Sequence, residues 1–190
     1  MGRMTTKQQS PDHHNHSGHA DHTDYAEQAG QRKTVRELIE KSRFAMIPTT
    51  DEHGAMVSRP MTVQEVTDDG DIIFIVPKDG DAAQQADGSQ VNLGFTKDMS
   101  FVSVAGRGEI REDKQKLEEL WGPGTEAFST KDETPDNTNK VLLVIHGESA
   151  QYWDSPSKPA LAVGLIKDII AGKSGESGDR PSGDSGTVEL

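Results

Sequence analysis

Arg59 has the clearest chemical use of any residue in this chain, because of what surrounds it. It sits in Ser58-Arg59-Pro60-Met61, inside a stretch from His53 to Lys78 that reads as two adjacent β-strands joined by the Asp68-Asp69-Gly70-Asp71 turn. Pro60 has no backbone N–H to give to a ladder, so the first strand is expected to be open on one side at its middle. The second, Ile72-Ile73-Phe74-Ile75-Val76, is an unbroken apolar run of strand length, which implies burial on both faces. A guanidinium held beside such a wall suits a flat, anionic ligand, met through bidentate donors. The plainer reading makes Arg59 an ordinary surface arginine and Pro60 an edge-strand blocker, and spacing alone favours it.

Histidine is the other residue with ligating capacity. Five of the seven fall near the N-terminus, as His13, His14, His16, His19 and His22, interleaved with Asp12, Asp21 and Asp24. A flexible chain can gather such imidazoles around Zn, Ni or Cu. The spacing fits no defined site, so no metal ligand is assigned, and a solvated polar tail with incidental metal affinity is the simpler reading. His53, in a turn, and His146, beside Gly147 in a strand, read as structural. The chain has no cysteine, which excludes disulfides, thiolate metal sites and cysteine nucleophiles. Any redox chemistry must therefore come from a cofactor.

The elements that would position Arg59 follow from pattern. With 190 residues and 32% hydrophobic content, the chain has room for one ordinary core plus unstructured ends. Residues 1–33 are polar and His-rich with hardly an aliphatic side chain, so they are expected to form a disordered tail. Order is expected to begin at Thr34, three residues before Glu37 in a T-x-x-E capping box, with a helix to Ser42 presenting Val35, Leu38 and Ile39. The pattern predicts six strands over 43–49, 55–63, 71–77, 90–96, 100–111 and 140–153. Short helices are predicted at Ala82 to Ala86 and Asp113 to Leu120, and a terminal amphipathic helix at Leu161 to Ile170. The folded domain is thus expected over 34–171, followed by a flexible C-terminal tail over 172–190.

Charge narrows the partners. A net charge of −12 repels nucleic-acid phosphates and anionic lipid surfaces alike, so neither nucleic acid nor membrane is an expected partner. No apolar run is long enough to span a bilayer, and the N-terminus lacks the apolar core of a signal peptide, so a cytoplasmic location is expected by default.

Taken in order and spacing, several pieces carry a family resemblance. They are Ala45-Met46-Ile47-Pro48-Thr49-Thr50, the Gly54 turn, Ser58-Arg59-Pro60-Met61 and Asp71-Ile72-Ile73-Phe74. Further on come Gln90-Val91-Asn92-Leu93, Ser100 to Gly106, the Asp113 to Trp121 helix, and Glu148 to Asp154. Over residues 34 to 155 the chain resembles the general stress protein branch of the pyridoxamine phosphate oxidase-like superfamily, the flavin-binding split barrels.

The resemblance implies a mainly β fold with short helices, a six-stranded split β-barrel of the FMN-binding type. It implies a homodimer with flavin mononucleotide (FMN) at the interface, flavin adenine dinucleotide (FAD) being the alternative cofactor. Arg59, Pro60 and Met61 should then approach the flavin ring or its ribityl chain, and Ile75, Val76 and Pro77 should follow it on the next strand. The flavin itself transfers hydride or electrons, so no catalytic residue is assigned. Related sequences usually follow that strand with a Ser-Arg-Lys type segment that holds the flavin phosphate. Here Asp79-Gly80-Asp81 stands in its place, and two carboxylates oppose a phosphate. Lys78 is the nearby cation expected to substitute, with Lys97, Arg107 and Arg111 as cations on neighbouring strands. Either Trp121 or Phe128 covers the flavin ring across the dimer, or Trp121 packs its helix onto the barrel, and Trp153 reads as structural.

Three functions remain open on the sequence. One is a flavin-binding general-stress-type protein, either a flavin-dependent oxidoreductase of unknown substrate or a flavin carrier. The second is a split-barrel binding or interaction module that has lost flavin, as Asp79 and Asp81 suggest. The third is metal buffering by the His-rich tail.

Overall fold

The structure, a computed structural model, describes residues 20–155 and 184–190. Its elements run α1 (Ala20–Ser42), β1 (Phe44–Thr50), β2 (Met56–Thr62), β3 (Glu65–Val66), β4 (Ile72–Pro77), α2 (Asp81–Ala86), β5 (Gln90–Lys97) and β6 (Ser100–Arg111). There follow α3 (Lys114–Leu120), α4 (Pro123–Glu126), β7 (Lys140–Asp154) and β8 (Asp184–Glu189). The strands form one sheet in the order β2-β1-β5-β6-β7-β4-β3, antiparallel throughout, with β8 added to β7. It is a curled half-barrel, mainly β with short helices, in keeping with the split-barrel expectation.

Alternation explains the curl. On β1, Ala45, Ile47 and Thr49 are buried between exposed or half-buried neighbours, and on β5 the same holds for Val91, Leu93 and Phe95. These inward side chains pack with Ile72, Phe74, Val76, Val102, Val104, Leu143 and Ile145 into the main core, and the Val35 face of α1 closes it. Fully burying a side chain such as Phe74 or Leu93 contributes about 1.5–3 kcal/mol. β4 is buried on both faces, as its apolar run predicts: Ile73 and Ile75 turn outward to a second cluster with Leu117, Leu142, Val144 and Trp121. That cluster seats α3, whose N-terminus is capped by the Asp113 carboxylate accepting from the Lys116 N–H at 2.9 Å.

Three expectations need correction. The first helix begins at Ala20, and Thr34 lies in its middle, its hydroxyl donating to the Gly30 carbonyl at 3.1 Å instead of capping. Residues 25–33 hold good helix formers that extend the helix as a polar, mostly exposed arm, which a search for apolar periodicity does not detect. The expected looseness beyond residue 172 does not hold for Asp184–Glu189, which form β8 because Val188 reaches the core and the backbone finds β7 as partner. The strands carrying Arg59 and the apolar run do not pair with each other. β2 is a sheet edge, β4 lies between β7 and β3, and the curl brings them near. The helix expected over Leu161 to Ile170 and the cluster His13, His14, His16 and His19 lie outside the described residues. No helix among the described residues is long and apolar enough to cross a membrane.

Candidate ligand site around Arg59

β2 is the edge strand that Pro60 predicts. Its register on β1 sets Arg59 opposite Ile47 and Met61 opposite Ala45, so Arg59 and Met61 share the inner face. Pro60 pairs with Met46 and faces outward. At the end of this inner face the apolar lining gives way to polar groups. Arg59 Nη1 donates to Thr49 Oγ1 at 2.7 Å and to Gln85 Oε1 at 3.1 Å. The Thr49 hydroxyl, itself buried, donates to the same Gln85 oxygen at 2.6 Å. Arg59 Nη2 lies 3.1 Å from Asp81 Oδ2, with 28% of the arginine side chain exposed against 72% of the aspartate. The result is a guanidinium locked in direction by β1 and α2, with one edge toward solvent. Thr49 and Gln85 were not legible as site residues. A threonine in a strand and a glutamine in a short helix carry no signal until the fold joins them.

The remaining sequence-selected residues divide by face. Met61 and Val76 pack on the main core, and Ile75 and Trp121 lie in the second cluster on the other side of the sheet. Pro77, exposed at the end of β4, pairs with Lys140. The structure therefore brings Arg59 and Met61 together and does not bring Trp121 or Ile75 to them. Lys78 turns to Glu112, with Nζ 2.5 Å from Oε1. The other expected cations are engaged elsewhere: Arg107 donates to the Gly88 carbonyl, Lys97 to the Lys41 carbonyl, and Arg111 to Glu109. Asp79 accepts from Asn139 Nδ2 at 2.9 Å.

Trp121 makes its contacts within its own chain. The Lys140 ammonium stands 5.6 Å from the Trp121 ring centre and 2.5 Å from Glu133 Oε1. That ammonium and the Thr138 hydroxyl hold the Glu133 carboxyl well below its usual range, at about 2. These contacts fasten the segment between α4 and β7. Among the described residues, no group of three or more His, Asp or Glu is arranged to hold a metal ion.

The family model for pyridoxamine 5'-phosphate oxidase like proteins matches residues 30–176. The chain belongs to that family.

Solved structures of similar fold agree with this membership. A candidate general stress protein 26 from Jannaschia sp. CCS1 is 20% identical, with a TM-score of 0.61 over 88% of this chain and 99% of that one. The general stress protein 26 of Bacillus anthracis str. Sterne is 16% identical, with a TM-score of 0.56 over 64% of this chain and 92% of that one. A general stress FMN/FAD binding protein from Xanthomonas citri is 26% identical, with a TM-score of 0.54 over 67% of this chain and 90% of that one. No curated protein matches the chain. Within the pyridoxamine 5'-phosphate oxidase like fold, then, this chain places an arginine, a threonine and a glutamine at one open edge, with an aspartate closing the set.

Proposed function

We propose that the protein binds a flavin at the Arg59 network as a homodimer, FMN in the first instance with FAD as the alternative. It then acts as a flavin-dependent oxidoreductase or a flavin carrier. The observation that carries this reading is Arg59 itself, oriented by Thr49 and Gln85 on the inner face of an open edge strand, in a chain of this family. The Xanthomonas citri protein, named for FMN/FAD binding, supports it. A bound flavin would supply hydride or electron transfer, so the chain's own residues have only to bind, orient and exclude water.

The residues present fit the ring and ribityl portions of such a ligand. Arg59 and the Gln85 amide give donors and the Asp81 carboxylate an acceptor for hydroxyls, the buried Thr49 hydroxyl orienting Arg59 and Gln85, and Met61 gives an apolar contact. Val76 sits in the core behind them. Pro60, Ile75, Pro77 and Trp121 face other ways and are assigned to contacts across the dimer, and Lys78 serves only by releasing Glu112. The dimer is supported by Phe44, Met46, Phe101 and Trp153, large apolar side chains left exposed on the outer face. A net charge of −12 and the lack of a membrane-crossing helix among the described residues favour a cytoplasmic role without nucleic acid.

A second reading, a barrel that has lost flavin and serves as an interaction module, is favoured by one observation: the carboxylate of Asp81 already occupies Arg59. Titration of the tag-free protein with FMN, followed by flavin fluorescence and melting temperature, separates the two. Saturable quenching with stabilisation supports a flavin protein, and no binding of either FMN or riboflavin at high concentration supports the module.

A further inference from the structure

We infer that Asp81 is an internal anion standing where a ligand phosphate would meet Arg59. The site therefore takes a flavin by its ring and ribityl chain and disfavours the phosphate ester until Asp81 is displaced. This rests on the flavin-binding reading.

The argument starts from the donors of Arg59. Nη1 is committed to Thr49 Oγ1 and Gln85 Oε1, and Nη2 to Asp81 Oδ2 at 3.1 Å. Each terminal nitrogen thus already has an acceptor, and the one facing solvent has a charged acceptor. An incoming phosphate has to share the solvent-facing side of the guanidinium with that carboxylate.

Asp81 is held in place at its backbone. It opens α2, whose Ala83 and Ala86 are buried, and the preceding turn is closed by the Gly80 N–H donating to the Pro77 carbonyl at 3.0 Å. A carboxylate that swings off Arg59 stays within a side chain's length of it, while Asp79, in the same turn, is directed to Asn139. A phosphate dianion at Arg59 would then face one guanidinium with a carboxylate already beside it. Lys78, Lys97, Arg107 and Arg111, the cations that could offset this, have partners elsewhere. A polyol meets no such penalty. Its hydroxyls donate to the carboxylate and accept from the guanidinium, so the ion pair is itself a cradle for a ribityl chain.

The test measures dissociation constants of FMN and riboflavin by fluorescence quenching, on the wild type and on Asp81→Asn, which keeps the shape and removes the charge. The expected result is riboflavin binding to the wild type at least as tightly as FMN. Asp81→Asn should tighten FMN on the order of tenfold and riboflavin by less than about twofold, with the FMN gain shrinking at high salt. Tenfold preference of the wild type for FMN, or an equal change for both flavins on Asp81→Asn, overturns the inference and leaves flavin binding intact. Inorganic phosphate is the flavin-free probe: it should raise the melting temperature of Asp81→Asn more than that of the wild type. If neither flavin binds, the flavin reading fails, and a phosphate effect equal in both proteins overturns the role of Asp81 as well.

Discussion

The carbonyl oxygen of Ala86 stands 2.2 Å from where a Cβ on Gly108 would lie, so α2 and β6 meet backbone to backbone. The contact is stitched on both sides. Gly88 N–H donates to the Gly108 carbonyl at 2.9 Å, Gly108 N–H donates to the Ser89 carbonyl at 3.0 Å, and Ile110 N–H donates to Asp87 Oδ1 at 3.0 Å. α2 carries Asp81 and Gln85, so the position of two of the three partners of Arg59 depends on a glycine of β6.

Gly108→Ala should therefore damage stability and site together. The added methyl has only backbone to push against, and overpacking of this kind costs about 1–3 kcal/mol. Urea denaturation should show a loss of about 2 kcal/mol, and flavin affinity should fall while Thr49 and Arg59 remain chemically unchanged. A loss below about 0.5 kcal/mol would mean that α2 is not seated as described.

His146 predicts a pH window. Its Nε2 lies 2.8 Å from Glu109 Oε2 and its Nδ1 3.0 Å from Asp71 Oδ1, tying β7 to β6 and to the start of β4. The hydrogen bond to Glu109, then that to Asp71, raises the His146 pKa above 6.5, and the same bond, with Arg111, lowers Glu109 below 4.5. The histidine's contribution is full below its unfolded value and is lost as pH rises through its raised folded value. The glutamate's is present above its unfolded value and is lost as pH falls through its lowered one. Both contributions coexist between about 4.5 and 6.5. The two side chains are nearly half exposed, so screening limits the pair to about 1 kcal/mol. His146→Gln should lower the melting temperature most in that window and progressively less toward alkaline pH. A difference independent of pH would reject the ionic account.

Sequence reached the fold further than the site. β6 was expected over 100–111 and lies at Ser100–Arg111, because alternation and flanking turns are local signals. β8 was missed because a segment rich in Gly, Ser and Asp becomes a strand only when Val188 finds the core. The polar arm of α1 was missed because it has no apolar face to read. At the site, Pro60 made Arg59 conspicuous, but its partners lie 10, 26 and 22 residues away at Thr49, Gln85 and Asp81. The sequence reading set Asp81 against a ligand phosphate, but its attraction to Arg59 was not visible until the fold brought the two together.

The outer face offers a test of assembly. Phe101 pairs with Trp153 across β6 and β7, and both are about half exposed, at 46% and 50%. If this face is the dimer contact, Met46→Asp combined with Phe101→Glu should convert a dimer to a monomer in sedimentation velocity without unfolding it, since neither side chain is in the core. An unchanged dimer would move the contact to another surface.

The most direct test of a flavin at Arg59 is a parallel titration of the wild type and Arg59→Met with riboflavin and FMN. Methionine keeps the length of the stem and removes the donors, and Thr49 can still donate to Gln85. The account predicts saturable binding of at least one flavin to the wild type and at least about tenfold weaker binding to the variant, at an unchanged melting temperature of the free protein. Equal affinities would place the flavin elsewhere, and no saturation by either flavin in the wild type would contradict the account at its centre.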